Sequence, residues 1–172
     1  MPMKTRTTHK PKQKRAARLA LTVQYAVNDE RLTRARLRRW VQKTLDRAID
    51  EPAANVQITL RLVDTTESQA LNSAYRSKNK PTNVLTFSYD DPAIANEWVA
   101  DVVICTDVLE QEALEQNKAY LDHAAHLVVH GTLHALGHDH IQAADAAEME
   151  ALERDILAGF SIADPYNTQD MS

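Results

Sequence analysis

Three histidines, His130, His134 and His140, fall four and six residues apart, with Gly137 between the last two, and side chains so spaced can converge on one metal ion. On a helix, residues four apart share a face with Cβ atoms roughly 5–6 Å apart, so both imidazoles reach a common point. A third ligand further along the same face could not close a tetrahedron. Gly137 answers that geometry, because a residue without a Cβ adopts the left-handed conformation that ends helices and can return His140 from outside the helix. Three neutral nitrogens leave a fourth position open. Structural zinc is normally closed by four protein ligands, whereas catalytic zinc keeps water in the fourth place, so the spacing predicts a hydrolytic zinc site.

The pattern matches that of metzincin peptidases, H-E-x-x-H-x-x-G-x-x-H, at every defined position except one: Gly131 stands where those enzymes carry their general-base glutamate. The metal geometry is kept and the peptide-cleaving base is not, which points to a different electrophile. His126 lies one turn before His130 on the same face and competes as a ligand. Nothing N-terminal to it breaks the helix to supply a third group, so packing or a hydrogen bond to a ligating side chain is expected of it. His123 and His138 are expected at the surface or hydrogen-bonded behind the ligands. Asp139 either orients the His140 imidazole or caps the turn. Cys105 and Asp101 lie in an apolar stretch, the first read as a small core residue and the second as buried and structural.

The stretch His130-Gly131-Thr132-Leu133-His134-Ala135-Leu136-Gly137-His138-Asp139-His140 resembles the signature of the YbeY family of bacterial endoribonucleases. Leu71-Asn72-Ser73-Ala74-Tyr75-Arg76-Ser77-Lys78 with Pro81-Thr82-Asn83-Val84-Leu85-Thr86-Phe87 is similar to a second family block, and Ala100-Asp101-Val102-Val103-Ile104-Cys105 to a third. Glu148-Met149-Glu150-Ala151-Leu152-Glu153 and Asp164-Pro165-Tyr166 are similar to the closing helix and tail. The likeness runs over roughly residues 17–167. It departs at Asn79 and Asn83, where the family usually has Asp, at Ala100, where it has Gly, and at Ala135, where it has Leu. Loss of two acidic groups leaves Arg76, Lys78 and Lys80 less neutralised.

The resemblance implies a zinc-dependent, single-strand-specific endoribonuclease of ribosomal RNA maturation, at the 3′ end of the small-subunit RNA, and of ribosome quality control. It further implies one zinc per chain on His130, His134 and His140, with His130 and Arg76 as catalytic residues. Ribosomal RNA and the small ribosomal subunit would be the partners, with ribosomal or assembly proteins beside them. For Arg76 the chemistry is independent of kinship: a planar guanidinium holds phosphate bidentately and offsets charge on phosphorane oxygens, though a salt bridge at a helix end is the plainer role. Two other readings stand, a metallopeptidase-like hydrolase and a non-catalytic assembly factor with a structural zinc closed by a fourth protein ligand.

These groups need a scaffold, and 172 residues, 44% hydrophobic and 26% charged, suffice for one core and not for two ordinary domains. Charge is uneven: residues 1–80 hold 18 Lys and Arg against 7 Asp and Glu, residues 81–172 hold 2 against 17. Seven basic residues precede Leu19 with no acid among them. A polyanion is the natural partner for such a segment, with a solvated tail as the alternative. Residues 1–16, with two prolines and almost no large apolar side chain, read as a disordered basic tail before a domain spanning residues 17–172. The start lacks the apolar core of a secretory signal, and the single cysteine, Cys105, suits a reducing compartment, so a cytoplasmic, membrane-free protein is expected.

Alternation at Leu19, Leu21, Val23 and Tyr25, and again at Val56, Ile58, Leu60 and Leu62, predicts two half-buried strands. Between them Thr33 caps a helix with the apolar face Leu37, Trp40, Val41, Leu45 and Ile49. A short helix from about Thr66, strands over residues 83–88 and 101–106, and helices over 107–118, 120–136 and 145–160 complete an α+β domain. The expected architecture is a mixed four-stranded sheet packed with helices, the metal site sitting on a late helix.

Overall fold

The alternating segments form strands and the segments of helical period form helices in the chain, here a computed structural model that describes residues 16–51, 54–89, 91, 93–138 and 142–167. The order is β1 (Arg18–Tyr25), α1 (Arg34–Ala48), β2 (Asn55–Val63), α2 (Thr65–Arg76), β3 (Val84–Ser88), β4 (Glu97–Cys105), α3 (Thr106–Glu115), α4 (Tyr120–Ala135) and α5 (Ala143–Ala158). The four strands make one sheet in the order β1-β2-β4-β3, parallel at β1-β2 and β2-β4 and antiparallel at β3-β4. The expected mixed sheet and late helices are therefore found. The anticipated tail falls, apart from Ala16, outside the described residues.

Local chemistry accounts for the boundaries. Thr33 caps α1 by accepting from the Arg36 amide, and Asp64 caps α2 by accepting from the Glu67 amide. One boundary differs from expectation: β4 begins at Glu97, four residues before Asp101, because Glu97 through Ala100 pair in register with Asn55 through Ile58 of β2. That pairing is a tertiary event to which a local alternation pattern is blind. Asp101 is half-buried, not buried as expected; its register partner is Phe87 at the sheet edge.

The main core lies on one face of the sheet. Ile58, Leu60, Leu62, Val102 and Ile104 pack there against Leu37, Trp40, Val41 and Leu45 of α1, Ala125, Val128, Val129 and Leu133 of α4, and Met149, Ile156 and Leu157 of α5. Each large apolar side chain so enclosed contributes roughly 1.5–3 kcal/mol. The other face carries a smaller cluster of Val63, Leu85, Val103 and Cys105, covered by Leu71 of α2, Phe87 and Val108. Cys105 is a core residue, as expected. Helix α4 is anchored at its start, where the Tyr120 hydroxyl donates to Asp29 Oδ2 at 2.5 Å and Asp29 holds Arg31.

Candidate metal centre and cleft

Along α4, a helix otherwise buried among apolar side chains, His126, His130 and His134 recur every fourth residue and make one polar stripe. The Nε2 atoms of His130 and His134 lie 3.1 Å apart. Two nitrogens about 2.0–2.1 Å from one tetrahedral zinc would be separated by roughly 3.3 Å, so the pair has the donor chemistry and spacing for such an ion. His140, the expected third ligand, and Asp139 lie outside the described residues. The turn that leads toward them is as anticipated: Gly137 has φ +92°, its amide donates to the His134 carbonyl, and that of His138 to the Leu133 carbonyl, both at 3.0 Å. This double bond pattern is the left-handed helix ending that glycine favours.

Behind the histidines stands a group to which the sequence reading gave no role, Glu153 of α5. It is fully buried. One carboxylate oxygen accepts from His130 Nδ1 at 2.5 Å, and the other from His126 Nε2 at 3.0 Å and from the Tyr166 hydroxyl. Burial pushes its pKa upward, but the bonds from His126, His130 and Tyr166 outweigh that and hold it at about 2. Burial first, and Glu153 next, push the Tyr166 phenol above its ordinary range, so it remains a donor. An ionised Glu153 places the His130 proton on Nδ1 and turns the ring's lone pair, at Nε2, toward His134, the usual carboxylate–imidazole arrangement behind a metal ligand. A sequence signal existed: Glu153 falls on the stripe Met149, Glu153, Ile156, Leu157, where an acid is expensive unless partnered.

His126, His130 and Glu153 also have ligand atoms within 4.8 Å of one another and could themselves hold an ion. The distances favour a different assignment. The proton on His130 Nδ1 is already given to one oxygen of Glu153, and His126 Nε2 and the Tyr166 hydroxyl take up the other, so these atoms are engaged with one another. His126 thus bonds to the carboxylate that orients His130. His123, expected at the surface or behind the ligands, is buried, its Nε2 3.2 Å from Glu112 of α3.

Gly131 explains itself in three dimensions. A Cβ there would meet Val102 Cγ1 at 2.7 Å and Val84 Cγ2 at 3.1 Å, and the Thr86 hydroxyl donates to its carbonyl at 3.1 Å. At this point the backbone of α4 lies against side chains of β3 and β4, so even a methyl group would force Val102 to shift and a longer carboxylate side chain is excluded. The contact brings His130 and His134 against Thr82, Asn83, Val84, Thr86 and Ser88, with Arg76 closing a cleft of about 300 Å³.

Arg76 ends α2, where Ser77 turns left-handed at φ 56°. The loop beyond is pinned by two buried polar side chains of α2. Ser68 donates to the Thr82 carbonyl and accepts from its amide, and Asn72 Nδ2 donates to the Lys80 carbonyl. Asn83 Nδ2 donates to both oxygens of Glu112. Arg76 is exposed and has no ion-pair partner among the described residues, so the salt-bridge role does not account for it.

A sequence profile described as Endoribonuclease YbeY matches residues 22–161. The chain is 52% identical over 156 residues to the Endoribonuclease YbeY of Bordetella pertussis, covering 88% of this chain and 98% of that protein. It is 54% identical over 151 residues to the one from Bordetella petrii, 86% and 97% covered, and 50% identical over 156 residues to the one from Herminiimonas arsenicoxydans, 87% and 96% covered. The solution structure of a Thermotoga maritima protein superposes with a TM-score of 0.54 over 86% of this chain and 99% of that one, at 20% identity, which speaks for the fold alone. Among the described residues no helix is long and apolar enough to cross a membrane.

Proposed function

Since the chain belongs to the Endoribonuclease YbeY family, and is thereby an enzyme acting on RNA, we propose that it is a zinc-dependent, single-strand-specific endoribonuclease of ribosomal RNA maturation. The 3′ end of the small-subunit RNA is its site of action, ribosome quality control its wider role, and the cytoplasm its compartment. The small ribosomal subunit, with ribosomal or assembly proteins, is the partner. Residues 17–172 form the catalytic domain, preceded by a basic tail at residues 1–16 that adds affinity without specificity.

The observation that carries this reading is the 3.1 Å approach of His130 Nε2 to His134 Nε2 in a cleft closed by Arg76. His130, His134 and His140 are the proposed ligands of one zinc per chain. When bound, zinc supplies a Lewis acid for a phosphoryl oxygen and lowers the pKa of water to about 7. Glu153 fixes the tautomer and orientation of His130. Arg76, with no ion-pair partner among the described residues, binds the phosphate through paired N–H donors and offsets charge that grows on its oxygens. Asn83 and Thr86 line the same cleft as the histidines.

Peptide cleavage is not expected, because position 131 has neither a base nor room for one. A non-catalytic role with a structural metal is the second reading, favoured by the grouping of half-buried His126 and His130 with buried Glu153. Zinc-loaded protein should cleave single-stranded RNA, lose that activity on chelation or in His134→Ala, and leave casein intact. Equal RNA degradation by wild type and His134→Ala, prepared in parallel, would defeat the nuclease reading. An inactive wild type, with zinc retained in His134→Ala, would establish the structural one.

A further inference from the structure

On the opposite face of β3 from the histidines is an aromatic surface that the proposed chemistry leaves unused. Val84, Thr86 and Ser88 line the cleft, while Leu85 and Phe87 alternate with them and face α2. The Tyr75 ring meets that of Phe87 edge-on, with centroids 5.0 Å apart and planes at 63°. Tyr75 is nevertheless 68% exposed, and Tyr89, just past the strand, 59% exposed. The Tyr75 ring is held against a second ring, so little freedom is lost when something stacks on its open face.

The surroundings specify what that is. Tyr75 immediately precedes Arg76, and Lys78 and Lys80 follow in the same segment. All three cations are exposed, with no ion-pair partner among the described residues. An aromatic face flanked by exposed cations is how proteins hold single-stranded nucleic acid, bases on rings and phosphates on charges. Only the edge strand β3 separates this face from the histidine cleft, and Arg76 stands where the two meet.

We propose that Tyr75, seated on Phe87, is a stacking platform for the base of a nucleotide adjoining the phosphate bound by Arg76. This rests on the reading of the chain as a nuclease of single-stranded RNA and deepens it. A paired base cannot leave its stack without cost, so the platform selects unpaired RNA, whatever the sequence.

The test uses full-length zinc-loaded protein at low temperature and short single-stranded RNAs with 2-aminopurine placed at successive positions. Wild type should quench the fluorescence at one position. Tyr75→Ala should bind roughly 5- to 150-fold more weakly and lose the quenching, with circular dichroism and melting unchanged. Tyr75→Phe should keep both. Removing the base at the quenched position should weaken wild type by the same factor and have little further effect in Tyr75→Ala, the non-additivity expected of two halves of one contact. Unchanged affinity and quenching in Tyr75→Ala, or strictly additive losses, would overturn the proposal. Failure of wild type to bind any single strand would remove the nuclease reading and this platform with it, a pattern distinct from a variant that behaves like wild type.

Discussion

Replacing Glu153 with Gln keeps the shape of the side chain and changes what it can accept. The carboxylate receives His130 Nδ1 on one oxygen, and His126 Nε2 and the Tyr166 hydroxyl on the other, with no solvent access to compensate. An amide has one acceptor oxygen and an NH₂ group, so either His130 or the His126–Tyr166 pair must face a donor. Hydrogen bonds to a charged group contribute about 1.5–3 kcal/mol each. Losing one or two, partly relieved by rotation of Tyr166, gives a stability loss of about 2–4 kcal/mol, or about 5–15 °C in Tm for a chain this size. Metal affinity should fall less steeply, by about 10- to 100-fold, because His130 keeps its Nε2 but loses the partner that orients it. Competition with a fluorescent chelator gives the zinc Kd, and calorimetry of the metal-free protein gives Tm. His134→Ala, which removes a proposed ligand, should lose far more affinity with a smaller Tm change. Zinc affinity within twofold of wild type in Glu153→Gln would refute the orienting role. Loss as complete as in His134→Ala, matched by His126→Ala, would make Glu153 and His126 ligands instead.

Arg76→Ala should lower turnover of single-stranded RNA by about 10²- to 10³-fold with zinc content and Tm nearly unchanged, and Arg76→Lys should recover only part of it; a Tm drop as large as that of a core truncation would assign Arg76 to the fold. Gly131→Ala gains about 1 kcal/mol of helix propensity but drives a methyl group to 2.7 Å from buried Val102, costing about 1–3 kcal/mol. Denaturant unfolding should therefore show a net loss of up to about 2 kcal/mol, and a variant more stable than wild type would show that α4 and the sheet yield easily. On the acid side, burial pushes Asp29 up, but bonds from Arg31 and Tyr120 hold it below 3.8; the His123 bond, opposed by burial and aided by Asn83, holds Glu112 below 4.5. Folded values below unfolded ones mean stability present above those pH values and lost as pH falls through the lower, folded ones. Tm should stay flat from pH 7 to 5 and fall below about pH 4, with a shallower fall in Asp29→Asn; an acid limb as steep in that variant would exclude Asp29 as a cause.

Much of this protein is written in short-range pattern. Leu37, Trp40, Val41 and Leu45 face one side of α1 because a helix repeats every 3.6 residues, and Ile58, Leu60 and Leu62 share one side of β2 because a strand repeats every two. The approach of His130 to His134, and the left-handed turn at Gly137, follow from spacing and the missing Cβ, and both were legible from the chain. What neighbours it meets was not. Glu153 lies 23 residues from His130 and Tyr166 13 beyond that, and only the packing of α5 on α4 brings them together. Gly131 read as a missing base, yet its contact with Val102 and Val84 shows a helix pressed onto a sheet, a constraint with no local signature. Phe87 seats Tyr75 only because α2 packs, through Leu71, on the same face of the sheet. Local periodicity fixes which face of an element is apolar, through the geometry of a single chain segment. Which faces meet is decided by burial summed over the whole domain, and that sum placed a carboxylate behind one histidine and an arginine at the rim of the same cleft.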